Sequence, residues 1–272
     1  MRFDDLCGST RATARWVLTA ALILLCGAPS IATENPVSGG PRELLIIYRA
    51  EPAARPEFRR YLQGTFAIQL QKLVREGVLK SYQVLFNPFV QPRTWDAMTV
   101  LSFNRFVDTR RWQEIERTSP GGLNAAGLKL AKPVGTYSAD LEWEGAAADG
   151  GAPAEHVFYV IPYAYAAADQ YRKYVNGYVM PQVEGWLAEG ALSRYRIYMN
   201  RYPVGDPEPW DSLFIYEYRN LESFGRRDEV TAKVRGPLRA DPAWKQWNDI
   251  KGSVRTESEN TIAELLAGNG RP

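Results

Sequence analysis

The chain has 272 residues, 45% of them hydrophobic and 24% charged, with a formal net charge of +2. That is the composition of a folded domain with a sizeable core. The small positive excess, interleaved with acids, does not point to nucleic acid as a partner.

The N-terminus reads as an export signal over residues 1–32. Arg2, Arg11 and Arg15 precede an apolar run from Val17 to Cys26, and Ser30-Ile31-Ala32 supplies the small residues of a cleavage site. The same segment also reads as an uncleaved anchor, although its apolar run is short for a membrane span. Cleavage would remove both cysteines, Cys7 and Cys26, and with them any disulfide or thiolate chemistry. It would also take three basic and two acidic residues, leaving a charge of +1. A periplasmic or secreted protein, with no membrane contact once cleaved, is the expectation.

Residues 33–42 form a polar leader. Leu44 to Tyr48 is a short apolar strand. From Pro56 to Glu76 the spacing turns helical, with Phe58, Tyr61, Leu62, Phe66, Leu70 and Leu73 on one face. Gly77 stands where a helix-ending glycine belongs. Strands are expected over Leu79 to Phe86 and Ala97 to Phe103, a helix from the cap Asp108, and a strand over Val134 to Trp143. The Ala/Gly-rich residues 145–154 have linker composition. The order then recurs: strand Val157 to Tyr163, helix Asp169 to Glu189, strands Leu192 to Met199 and Ser212 to Tyr218. Helical segments near Leu221 and over Asp241 to Lys251 precede a last strand, Val254 to Thr261.

This recurrence is written in the residues. Tyr61 to Asn87 aligns without a gap on Tyr174 to Asn200, at an offset of 113, with eight identities in 27 positions. Trp95-Asp96 matches Trp210-Asp211 two residues out of phase. Two modules are therefore expected, residues 43–144 and 155–266, each with the strand–helix–strand–strand–helix–strand pattern of a ferredoxin-like α+β fold. A sheet with helices on one face leaves the other face open. Two such modules can cover each other as an intramolecular barrel.

The helix running into Pro181, the turn Glu189-Gly190-Ala191-Leu192 and the segment Arg239 to Trp247 with Asp241-Pro242-Ala243-Trp244 carry a family likeness. In these residues the chain resembles the dimeric α+β barrel superfamily, and within it the NIPSNAP-type and small stress-response modules. The first module lacks the Asp-Pro-x-Trp element and has Ala67-Ile68 where the second has Met180-Pro181. The resemblance implies the fold. It leaves function open among cofactor-independent monooxygenases, haem-dependent enzymes and proteins of unknown role.

Little catalytic machinery is legible. His156 is the only histidine, and alone it cannot supply a usual metal site. It is expected on the surface beside the linker, away from any haem. Glu217, flanked by Tyr216 and Tyr218, reads either as an ion-pair partner of a strand arginine or as a base. The better candidate is a strand face. Alternation puts Arg194, Arg196, Tyr198 and Asn200 on one side of their strand, where the first module has Ser81, Gln83, Leu85 and Asn87. These four residues, with Glu217, are the expected contacts for a small anionic or aromatic ligand. They equally suit an ion-pair seam between modules. No cofactor or metal is expected, further oligomerisation is possible but not required, and a cofactor-free oxygenase or a pocketless interaction protein remain the alternatives.

Overall fold

The computed structural model describes residue 40, residues 42–202 and residues 210–269. The expected export signal lies outside the described residues. Among the described residues nine strands form one sheet: β1 (Glu43–Ala50), β2 (Ser81–Phe86), β3 (Ala97–Ser102), β4 (Ala131–Ala146), β5 (Val157–Tyr165), β6 (Leu192–Asn200), β7 (Ser212–Tyr218), β8 (Arg255–Glu257) and β9 (Thr261–Gly268). The spatial order is β7-β6-β4-β1-β3-β2-β9-β5, and β5 pairs back onto β7. Eight antiparallel strands thus close into a barrel, with β8 as a short addition to β5. Closure satisfies the backbone groups that an open edge would leave unpaired.

Two strands join the halves. The 16-residue β4 pairs with β1 over its first part and with β6 over its second. Strand β9 pairs with both β2 and β5. The last strand is therefore β9, Thr261–Gly268, and not the expected Val254 to Thr261, which holds the end of a helix, β8 and a turn. Strand β4 also runs on to Ala146, into the expected linker.

Helices cover the outside. Helix α1 (Arg55–Tyr61) passes through a π-turn (Leu62–Phe66) into α2 (Ala67–Arg75), followed by α3 (Thr109–Glu116) and α4 (Ala125–Leu130). In the second half, α5 (Ala168–Tyr174), a π-turn (Val175–Val179) and α6 (Met180–Ala188) repeat the first arrangement. They are followed by α7 (Leu221–Gly225), α8 (Arg227–Leu238) and α9 (Pro242–Val254). Asp241 caps α9 by accepting from the Ala243 amide at 2.9 Å. Among the described residues no helix is long and apolar enough to cross a membrane.

The apolar helix positions Phe58, Leu62, Phe66, Leu70 and Leu73 are buried against one side of the sheet, and Tyr171, Tyr174 and Tyr178 do the same in the second half. A third cluster fills the barrel itself, with Leu45, Met98, Phe158, Tyr198, Trp210 and Ile215 among its members. The barrel middle is a packed core and not a channel.

Matching positions of the two halves make matching bonds. Gly77 and Gly190, after α2 and α6, have φ of 72° and 71°, the left-handed turn that favours glycine. Asp96 accepts from the Ala50 amide at 2.8 Å, and Asp211 from the Tyr165 amide at 3.0 Å. Asn87 donates to the Trp95 carbonyl and Asn200 to the Trp210 carbonyl. Each Trp-Asp pair thus ties the start of one strand to the end of another.

Candidate functional site at one mouth of the barrel

Inward-facing residues change character along the barrel. In the middle they are apolar. At the mouth formed by the starts of β1, β2 and β6 and the ends of β3 and β7 they are Glu43, Gln83, Arg194, Arg196 and Glu217. Strand alternation puts them there: on β6, Arg194, Arg196 and Tyr198 share a face, while Tyr195, Ile197 and Met199 join the helix-side core.

Arg196 is buried and donates to the Gln83 side chain. These two residues stand 113 apart in the chain and meet from opposite walls, β6 and β2. The Nε of Arg196 is buried without an acceptor. Burial works against its charge, but the surrounding Tyr198, Glu217, Glu43 and Glu144 outweigh that and hold it ionised. Glu43 is also buried, and accepts from Ser102 Oγ at 2.6 Å. Desolvation pushes its carboxyl up to about 7, against the pull of Ser102 and Arg196.

Beside them lies a cavity of about 620 Å³, lined by Gln83, Ser193, Arg194, Glu217, His156 and residues 146–151, with Leu265, Gly268 and Asn269 of the last strand's end. Its size is that of a small-molecule site. Its roof is the segment between the halves. Ala147 donates its amide to the Ser193 carbonyl at 2.8 Å. Arg219 donates to the Asp149 carbonyl and faces its carboxylate at 3.6 Å.

His156 locks this roof. Its Nδ1 lies 2.5 Å from Glu217 Oε1 and its Nε2 lies 2.8 Å from the Gly150 carbonyl. A carbonyl only accepts, so Nε2 carries a proton. Burial alone would raise the Glu217 carboxyl, but the His156 bond and the charges of Arg196, His156 and Arg194 hold it below the usual range.

Two expectations are corrected here. His156 is not a surface residue: it is only 7% exposed and faces the cavity, because the following segment places it two residues ahead of the inward Phe158. The partner of Glu217 is this histidine, not a strand arginine. Both ring nitrogens being engaged, His156 does not fit a haem iron.

The five expected ligand contacts separate. Arg194 and Glu217 line the cavity. Arg196 sits behind it. Tyr198 is wholly buried in the barrel core, where desolvation raises its hydroxyl far above the ordinary range. Asn200 is six residues beyond Arg194, roughly 20 Å along an extended strand, and is spent on Trp210 and Tyr202. Arg194 makes no hydrogen bond or ion pair among the described residues. His156 and the roof were missed; the signal available was the period-two spacing of His156, Phe158 and Val160.

No family model matches the chain, and no curated protein matches it. Solved structures do. An anthrone oxidase-like protein is 10% identical over 86% of this chain and 94% of its own, with a TM-score of 0.55. A candidate monooxygenase from Fusobacterium nucleatum is 10% identical over 85% of this chain and 95% of its own, with a TM-score of 0.52. Both are dimeric α+β barrel proteins, and at this identity the likeness speaks for fold alone. The chain has the mixed α+β architecture of that barrel, eight antiparallel strands closed on themselves and wrapped by helices.

Proposed function

We propose that the protein binds a small anionic molecule in the cavity at the polar mouth of the barrel, with Arg194 as its charged contact. One observation carries this reading: the Arg194 guanidinium, whose side chain makes no hydrogen bond or close ion pair among the described residues, lines a roofed cavity of about 620 Å³ beside a buried His156–Glu217 pair. A charged group left open in a concave, partly dry site is a recognition element for the opposite charge. The charged side of the site, Arg194 and Glu217, comes from the second half, and Gln83 and residues 146–151 complete it; this fits a tandem duplication of ferredoxin-like modules, residues 43–144 and 155–266, with a NIPSNAP-type second copy. In this reading one copy kept Ser81 and Gln83 while the other acquired Arg194 and Arg196. Export to the periplasm or beyond belongs to the same proposal and rests on residues 1–32.

Calorimetric titration with benzoate tests it, using the wild type and Ala147→Trp, which fills the cavity from the roof. Binding by the wild type and its loss in a folded Ala147→Trp are expected. Equal binding by both, or none by the wild type up to millimolar benzoate, overturns the reading.

A second reading is a cofactor-independent oxygenase. It is favoured by what the two similar structures are described as, and by donors that could stabilise a developing anion without further titrating groups. Oxygen consumption with anthrone and no added cofactor would support it; no turnover above buffer would dismiss it.

A further inference from the structure

Next to the cavity is a much smaller chamber of about 30 Å³, between β2, β3 and β6. Its walls include Ser81, Gln83, Ser102, Arg194 and Arg196, and it shares Gln83 and Arg194 with the larger cavity. The hydrogen-bonding groups left open there are donors or can act as donors. Arg196 Nε is buried with no acceptor. Gln83 Oε1 is taken by Arg196, which leaves its amide nitrogen to donate. The Arg194 side chain makes no hydrogen bond or close ion pair among the described residues, and the Ser81 hydroxyl makes no hydrogen bond there. Ser102 is turned away to Glu43.

The neighbouring acids do not cancel this. Glu217 is engaged by His156 at 2.5 Å. Glu43, held at about 7, is partly protonated at neutral pH. What the chamber lacks is an acceptor, and a buried donor without one costs free energy until something supplies it.

Size narrows the choice. A space of about 30 Å³ is on the order of one or two water-sized oxygens, which suits the two oxygens of a carboxylate better than the four of a phosphate or sulfate. The roof side of the larger cavity is mostly small or apolar, with Ala146, Ala147, Ala148 and Pro153; Asp149 on the same segment faces Arg219, and Leu265 of β9 adds apolar wall.

We infer that the ligand is a small monocarboxylic acid, its carboxylate seated in the chamber between Arg194, Arg196 and Gln83, and its uncharged body lying in the cavity under residues 146–151. This rests on the reading of the cavity as a ligand site and adds the head group. The pairing is of the charge-assisted kind that guanidinium and carboxylate make well.

The test compares benzoate, benzamide and phenyl phosphate on the wild type, Arg194→Leu, Ser81→Ala and Ala147→Trp by calorimetry. Benzoate should bind at least ~10-fold more tightly than benzamide, from the charge-assisted bonds it alone can make. Phenyl phosphate should bind more weakly than benzoate. Arg194→Leu should erase the preference, and Ser81→Ala, which leaves the buried Arg196 in place and folds as the wild type, should reduce it. Benzamide binding as tightly as benzoate overturns the inference, as does a tighter phenyl phosphate or a preference that survives Arg194→Leu. In each of those cases, loss of binding in Ala147→Trp leaves the cavity standing as a site. Binding unaffected by Ala147→Trp removes the site itself.

Discussion

Replacing Glu43 by glutamine probes the polar mouth through stability. Glu43 is buried among Ser102, Arg196 and the start of β1, and burial lifts its carboxyl from 4.5 to about 7. A group whose folded value is raised holds its proton more tightly in the folded state. Its contribution is fully present below about 4.5 and is lost as pH rises through 7. The difference between those two values is about 2.5 units, and at ~1.36 kcal/mol per unit it amounts to ~3 kcal/mol of stability lost on the alkaline side. Glutamine keeps an acceptor for Ser102 and never ionises. Glu43→Gln should therefore match the wild type at pH 4 and gain on it steadily between pH 5 and 7. By pH 8.5 it should be ahead by ~3 kcal/mol, on the order of 6–12 °C in Tm for a domain of this size. Urea unfolding followed by tryptophan fluorescence at stepped pH measures it. A difference that stays flat across this range, or grows toward acid, would refute the assignment of Glu43 as a buried, proton-holding carboxyl.

Three further outcomes are expected. Arg55 is buried, ion-paired with Asp96 and bonded to the Asn87 and Phe89 carbonyls, so Arg55→Met should cost ~3–5 kcal/mol in chemical denaturation; a change below 1 kcal/mol would show that the pair is not held dry. Gly64 and Gly177 occupy the same place in the repeat, but a Cβ at Gly177 would meet Trp247 Nε1 at 2.6 Å while one at Gly64 meets nothing within 4 Å. Gly177→Ala should lose ~1–3 kcal/mol, whereas Gly64→Ala should be neutral or gain up to ~1 kcal/mol; equal effects would contradict the packing of α9 on the second π-turn. Finally, the intact mass of the chain recovered from an exporting host should begin at Thr33, and a mass that includes residues 1–32 would refute cleavage.

Much of the architecture could be read from the chain because repetition and periodicity are local signals. The helical spacing over Pro56 to Glu76 and Asp169 to Glu189 anticipated the two long helical segments, though not the π-turns inside them, and Gly77 and Gly190 ended them where expected. The alternation on β6 put Arg194 and Arg196 on the inward face. The last strand was misplaced for a physical reason. Ile262-Ala263-Glu264-Leu265-Leu266-Ala267 favours a helix by propensity, and only pairing with β2 and β5, far away in sequence, makes it a strand. His156 was misjudged because the period-two spacing with Phe158 and Val160 gives its inward direction but not its burial, which comes from the roof folding back onto it. Asn200 shared the strand face of Arg194 but not its end of the barrel, and period-two patterning says nothing about distance along the strand.

In a crystal of the protein soaked in benzoate, the carboxylate should lie between Arg194 and Arg196, with the ring beneath residues 146–151 and the His156–Glu217 bond in place. Benzoate bound elsewhere, or a mouth that stays empty at saturating concentration, would contradict it.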